Sequence, residues 1–314
     1  MRYQQTIASS ITCTGVGLHS GQPVMMTLLP APPNTGVVFL RKAGGSAIPL
    51  RATISNLVAT ELCTAISSAG TQIKTIEHVL AALCGLGVDN VYIEIDAGEV
   101  PVMDGSAGPF VRLIKAAGIV PQNRTQRFLK ITQPIEIMDR GRRVVIEPAP
   151  TPKVTYTIAY DHPLIGTQSY EHECSADSFE RDIADARTFG FLKEVEALWS
   201  RGLGKGGSLE NTVVLSDDDV INHSGLRFQD EFVRHKVLDL VGDLSLLGMP
   251  FIGHVKAERS GHALHTSLVN QILRRPDCWV LLSLDDQSTP AERPLVQPST
   301  VYHSSALTAP VASV

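Results

Sequence analysis

The sequence predicts an α+β protein built from two similar halves, and three observations carry that reading. Strand-like apolar runs open each half. In each, an amphipathic helical stripe closed by glycine comes next, followed by a strand, a Gly/Ser turn and a final helix. The length of 314 residues suits two domains, and 43% hydrophobic against 19% charged residues suits a chain that buries sizeable cores. Residues 1–122 are expected to form the first domain and 123–284 the second. Residues 285–314, rich in Pro, Ser and Thr, are expected to be a partly ordered tail.

In the first half, residues 24–29 and 37–41 read as strands on either side of a Pro/Asn/Gly turn cluster. Residues 62–67 and 72–75 read as a hairpin across Ser68-Ala69-Gly70. Ile76, Val79, Leu80 and Leu83 then fall at i, i+3, i+4 and i+7, with Thr75 as the expected N-cap and Gly85 at the end. A strand over 90–96, a loop through Asp104-Gly105-Ser106 and a helix over 109–117 stopping at Gly118 complete the half. The polar stretch 118–126, which contains Pro121, marks the expected boundary. In the second half, residues 127–138, 143–147, 154–160 and 169–174 read as strands, with a turn at Asp139-Arg140-Gly141. Helical stretches over 176–184 and 192–201 precede a glycine-rich loop at 202–207. Val233, Val237, Leu240, Val241, Leu244 and Leu247 form a second helical stripe that stops at Gly248. A strand over 251–256, a Ser260-Gly261 turn and a helix over 262–274 finish the pattern.

Composition excludes several function classes. Lys plus Arg number 27 against 32 for Asp plus Glu, a net charge of −5, so no basic field holds a nucleic acid backbone. The longest near-apolar run, 79–88, is far shorter than the roughly 20 residues of a membrane span, and the N-terminus lacks a signal-peptide core. Five widely spaced cysteines without a C-x-x-C pair suggest neither a disulfide framework nor a thiolate zinc site. A cytoplasmic monomer with no integral membrane segment is expected.

Chemistry-bearing residues concentrate on the two helical stripes. His235 and Asp239 lie four apart, with Asp243 one turn further along the same face. Alone, that row reads as a solvated polar flank opposite the apolar stripe. Glu77-His78 on the corresponding helix of the first half changes the weight. Two histidines and one carboxylate are a zinc donor set that leaves a fourth position open, as a catalytic site requires. His262 begins a helix, where the macrodipole disfavours its protonation unless an acid such as Asp243 offsets it; a surface or capping histidine is the plainer reading. The stretch 186–192 reads by pattern as core, and 202–207 lacks the order of a phosphate loop.

Six segments, taken together, resemble a known family. They are Gly15-Val16-Gly17-Leu18-His19-Ser20-Gly21, Thr75-Ile76-Glu77-His78, Pro101-Val102-Met103-Asp104-Gly105-Ser106, Ala186-Arg187-Thr188-Phe189-Gly190-Phe191, the run from Asp230 to Asp239, and Ser260-Gly261-His262-Ala263-Leu264. Their order over about residues 2–284 resembles the UDP-3-O-acyl-N-acetylglucosamine deacetylases, zinc amidases of lipid A synthesis. The resemblance implies a duplicated pair of two-layer α+β domains with the site at their junction. It implies His78, His235 and Asp239 as ligands of a Zn2+ cofactor and Glu77 as general base. Thr188 would then stabilise the oxyanion with the metal, while His262, kept protonated by Asp243, would assist departure of the amine. It further implies a UDP-linked acylated amino sugar as substrate, with Lys236 on the diphosphate, Tyr160 near the uracil, and Phe189, Phe191 and an insert over 192–209 walling an acyl passage. Glu61 and Gly204-Lys205 depart from an apolar lining there. A catalytically silent nucleotide-sugar or lipid-binding protein on the same scaffold is the alternative, and it needs neither a base nor an open metal position.

Overall fold

The computed structural model describes residues 2–43 and 46–284. Two five-stranded sheets dominate it. The first contains Ile11–Val16, Pro23–Pro30, Val37–Ala43, Ser46–Arg51 and Val91–Ile95; the second contains Ile135–Asp139, Arg142–Glu147, Lys153–Ala159, Thr167–Glu173 and His254–Glu258. In both, the strands lie in the spatial order first, second, fifth, third, fourth, and the only parallel pair joins the third to the fifth. Identical order and polarity bear out the duplication at the level of topology.

The described residues form six α-helices: α1 (Glu77–Gly85), α2 (Gly108–Ala117), α3 (Ala176–Asp182), α4 (Leu192–Ser200), α5 (Glu231–Leu244) and α6 (His262–Arg274). Helices α5 and α6 cover the second sheet, α2 packs on the strand Ile11–Val16, and α1 of the first half lies against α5 of the second. That crossing is close. A Cβ built on Gly242 of α5 would stand 2.1 Å from the Glu77 carbonyl oxygen, so the two backbones approach where only glycine fits. Buried apolar residues of both halves join in one continuous core, from Ile7 through Leu80 and Val237 to Cys278.

Several expectations are corrected. Thr75 is no N-cap: its φ is +57°, Ile76 takes the cap position, and the Thr75 hydroxyl donates to Glu99 instead. The polar stretch expected at the boundary is a strand, Ile119–Thr125, paired antiparallel with the unpredicted strand Tyr3–Ile7; proline is tolerated in such an edge ribbon. The run 127–138 is two strands in different sheets, broken ahead of Ile135 by Thr132-Gln133-Pro134. The run 251–256 divides at Gly253, where a side chain would meet the Glu147 carbonyl and Ile131 at 3.0 Å. The hairpin's first strand starts only at Ala65, because Leu62 sits in a bend at φ +62°. Trp279–Leu282 and the short parallel pair Phe189–Phe191 with Val213–Leu215 were not legible as strands. The tail expected over 285–314 lies outside the described residues.

Candidate active site

Helix α1 delivers Glu77 and His78 in its first turn, and α5 delivers His235, Asp239 and Asp243 from successive turns. The flank of α5 read as solvated is buried, because α1 covers it: His235, Asp239 and Asp243 are 3%, 4% and 0% exposed. Asp239 is the hub. Its Oδ1 lies 3.6 Å from His78 Nε2 and 3.4 Å from His235 Nε2, and its Oδ2 accepts a 2.7 Å hydrogen bond from Lys236 Nζ. The two imidazoles stand edge to face with centroids 5.0 Å apart.

These separations are long for hydrogen bonds. They match a different requirement: donors about 2.0–2.2 Å from a tetrahedral zinc lie roughly 3.4 Å from one another. Protonation fits too. Burial pushes His235 down to about 4 despite the pull of Asp239, which leaves the neutral imidazole a metal needs. Its Nδ1 donates to the Ala186 carbonyl at 3.1 Å, turning Nε2 toward Asp239. Burial alone would raise Asp239, but Lys236 and the histidines hold it well below the usual carboxylate range. His78 Nδ1 is buried without a hydrogen-bond partner. The three residues therefore suit a divalent cation.

Around this set lie further buried titratable groups. Glu77 is 3% exposed, and its Oε2 accepts from the Thr64 backbone N–H at 3.0 Å. Burial raises its pKa, and the carboxylates of Asp239 and Asp243 add to that against the opposing pull of His262 and His78. Burial works against a charge on His262 as well, yet Asp243 overrides it: His262 Nδ1 donates to Asp243 Oδ2 at 2.7 Å, and its pKa is pushed up to about 9. Asp243 in turn is held near 2, despite burial, by donors that surround it. His265 Nδ1 donates to the same Oδ2 at 2.8 Å, and the Thr64 hydroxyl donates to Oδ1 at 2.5 Å. The far nitrogen of His265 meets Ser260 Oγ and the Tyr156 hydroxyl at 2.9 and 3.1 Å.

Thr188 lies on the loop that also anchors His235 through Ala186. Its backbone N–H donates to Gly105 at 2.8 Å, and its carbonyl accepts from Val213. A buried ion pair fixes this loop to the start of α5: Glu231 Oε1 accepts from Arg187 N and Nε at 2.9 and 2.8 Å. Tyr160, expected near the uracil, contacts the expected acyl-wall rings Phe189 and Phe191 with centroids 5.8 and 5.9 Å away, and Phe189 reaches His235 at 6.4 Å, so the three rings form one cluster beside His235. Lys236 points inward to Asp239. The insert over 192–209 is α4, which buries none of its residues, and a glycine loop docked on residues 17–21, where Gly206 N donates to the Leu18 carbonyl. Glu61, which departs from an apolar lining, pairs with Arg201.

Thr64, His265 and the Arg187–Glu231 pair were missed as supporting residues. His265 was findable in principle, three residues beyond His262 on the same helical face. Nothing local marks Thr64.

Comparison with known proteins points to one family. The pattern of a family described as UDP-3-O-acyl N-acetylglycosamine deacetylase matches residues 4–274. A protein of Citrifermentans bemidjiense called UDP-3-O-acyl-N-acetylglucosamine deacetylase is 47% identical over 288 residues, covering 92% of this chain and 94% of its own. Proteins of the same name from Anaeromyxobacter sp. (strain Fw109-5) and Hahella chejuensis are 45% and 44% identical, covering 93% and 90% of this chain and 96% and 94% of their own. With a match running through both halves and through every segment that builds the site, this chain belongs to the UDP-3-O-acyl-N-acetylglucosamine deacetylase family.

Proposed function

We propose that this chain is a zinc-dependent amidohydrolase that removes acetate from UDP-3-O-acyl-N-acetylglucosamine, the committed deacetylation of lipid A biosynthesis. Family membership supports the deacetylase activity. The observation that carries the mechanism is that Glu77 and His78 of α1 meet His235 and Asp239 of α5 beside His262. In this reading His78, His235 and Asp239 hold the ion, which when bound supplies Lewis-acid polarisation and a more acidic water.

The protein's own groups do the rest. Glu77 accepts a proton from the water that attacks the acetamide carbonyl, and burial makes its carboxylate a stronger base than an exposed one. The Thr188 hydroxyl donates to the oxyanion that develops. His262 enters the reaction protonated, faces the same negative charge, and gives its proton to the departing sugar nitrogen; Asp243 keeps that proton available. Lys236 is assigned to the diphosphate, and Tyr160, Phe189, Phe191 and the insert over 192–209 to the uracil and acyl chain. The two-domain division at 122/123, a monomeric state and a cytoplasmic location belong to the same reading; among the described residues no helix is long and apolar enough to cross a membrane.

Acetate release from the UDP-linked substrate, measured together with metal content, tests it. Removal of a general base costs roughly 10²- to 10⁴-fold in kcat, so Glu77→Ala is expected to lose that much and keep its zinc. His78→Ala is expected to lose both. A Glu77→Ala protein purified without metal would make Glu77 a ligand and overturn its assignment as the base.

A further inference from the structure

The chain enters α1 through a residue in an uncommon conformation. Thr75 has a φ of +57°, in the left-handed region that β-branched residues avoid, and is 2% exposed. Two residues later comes Glu77 and three later His78, so the direction in which both enter the site is set here. Such a conformation persists only where the surroundings impose it.

The Thr75 side chain is held by Glu99. Residues 98–100 run beside Lys74, whose N–H donates to the Gly98 carbonyl while its own carbonyl accepts from Val100 N, both at 3.0 Å. This brings the Glu99 side chain, itself 2% exposed, onto Thr75. Oε1 accepts from the Thr75 hydroxyl at 2.9 Å and from His19 N at 2.8 Å, and Oε2 accepts from Ser20 N at 2.8 Å. Burial works to raise this carboxylate's pKa, but the Ser20, His19 and Thr75 donors lower it overall. Gly17 completes the pocket: a Cβ there would stand 2.4 Å from Glu99 Oε2, so only glycine lets the carboxylate in.

We propose that Glu99 is a positioning residue, a buried carboxylate that straps Thr75 into its left-handed conformation and thereby fixes how Glu77 and His78 enter the active site. Without the strap Thr75 relaxes toward negative φ, which turns the peptide leading into α1 and carries His78 away from His235 and Asp239. Every backbone partner of Glu99 is a donor, so glutamine cannot replace it: its amide nitrogen would face N–H groups. The inference rests on His78 being a metal ligand.

Zinc affinity by chelator competition, with far-UV circular dichroism as the check on folding, tests the strap. Thr75→Val removes the hydroxyl and keeps the β-branched side chain, and it is expected to weaken zinc about 10- to 100-fold, the usual cost of losing an outer contact that orients a ligand. Thr75→Gly removes more of the side chain, yet glycine adopts φ +57° unaided, so its zinc affinity is expected to stay within about threefold. A merely structural role for Thr75 gives the opposite order, since glycine forfeits more packing and more backbone entropy. Glu99→Gln is expected to weaken zinc as Thr75→Val does, and adding Thr75→Gly to it to recover at least about tenfold. The strap is overturned if Thr75→Val binds zinc like the unsubstituted protein, if Thr75→Gly binds more weakly than Thr75→Val, or if Thr75→Gly recovers nothing in the Glu99→Gln background. Failure of the unsubstituted protein to bind zinc would instead remove the metal reading beneath it.

Discussion

His262 is held charged by its neighbours against both its burial and its place in the chain. It begins α6, where exposed N–H groups disfavour a cation, and desolvation pulls the same way. The Asp243 carboxylate, 2.7 Å away, outweighs both, with Asp239 and Glu77 adding to it. The charged groups facing His262 thus come from α5 and α1, and the second imidazole on Asp243, His265, has its own pKa lowered by burial. A histidine whose folded pKa is raised keeps its proton up to that pKa, so activity depending on this proton is full below about 9 and lost above it. Asp243→Asn removes the charge that raises His262 and leaves the burial that lowers it. The basic limb of kcat/KM is therefore expected to move from near 9 to the ordinary imidazole value of about 6.5 or below. A limb that stays near 9 in this variant would assign the titration to another group. Stability follows the same sign: the part contributed by charged His262 is complete below about 6.5 and disappears as pH rises through about 9. Much of this was legible in the sequence, since Asp243 stands one turn beyond Asp239 and an acid was needed to offset the helix start. Thr64 and the Tyr156–Ser260–His265 chain behind Asp243 were not, because they come from segments whose meeting no local pattern announces.

At the scale of elements, the site is the crossing of α1 and α5. Each stripe was readable from its 3.6-residue period, and the ends at Gly85 and Gly248 were readable from glycine. What each helix does with its polar side was not: one helix in isolation assigns polar residues to solvent, whereas here α1 and α5 turn theirs toward each other and bury them. The same limit explains the strands. Periodicity finds an apolar run but not the point where it changes sheet, so the breaks at Pro134 and Gly253 escape it. Gly242 tests the crossing directly. Alanine gains about 1 kcal/mol of helix propensity over glycine, but its Cβ would lie 2.1 Å from the Glu77 carbonyl oxygen, a backbone atom that cannot swing aside. Overpacking a tight interior costs about 1–3 kcal/mol, and a contact this short belongs at the upper end, so the clash wins. Gly242→Ala is expected to lower stability to denaturant by a net of about 1–2 kcal/mol and to weaken metal binding, because separating the helices separates His78 from His235. A variant that is stabilised, with metal affinity intact, would mean the helices have slack at this point.

At the scale of the whole molecule, the proposed zinc ion ties the two halves together. His78 comes from one half, while His235 and Asp239 come from the other, and the apolar residues beneath them belong to one continuous core. Two consequences follow for unfolding. A ligand that binds only the folded state stabilises it by RT ln(1 + [L]/Kd), about 2.7 kcal/mol at a hundredfold excess over Kd. At about 2.1 cal/mol/K of unfolding entropy per residue, a chain of 314 residues then shifts its Tm by about 4 °C. The second consequence concerns cooperativity. If the halves melted independently, the metal would have to break before either unfolded, and each half would then expose the helix face it buries against the other. Pulling α1 from α5 would also bare Glu77, His235 and Asp239 to water and open the apolar contact between the halves, so neither half gains by leaving first. Calorimetry is accordingly expected to show one transition in both metal-free and zinc-loaded protein, rising in temperature with free zinc. Two transitions, with zinc moving only one of them, would show that the core is divided and that the metal sits within a single half.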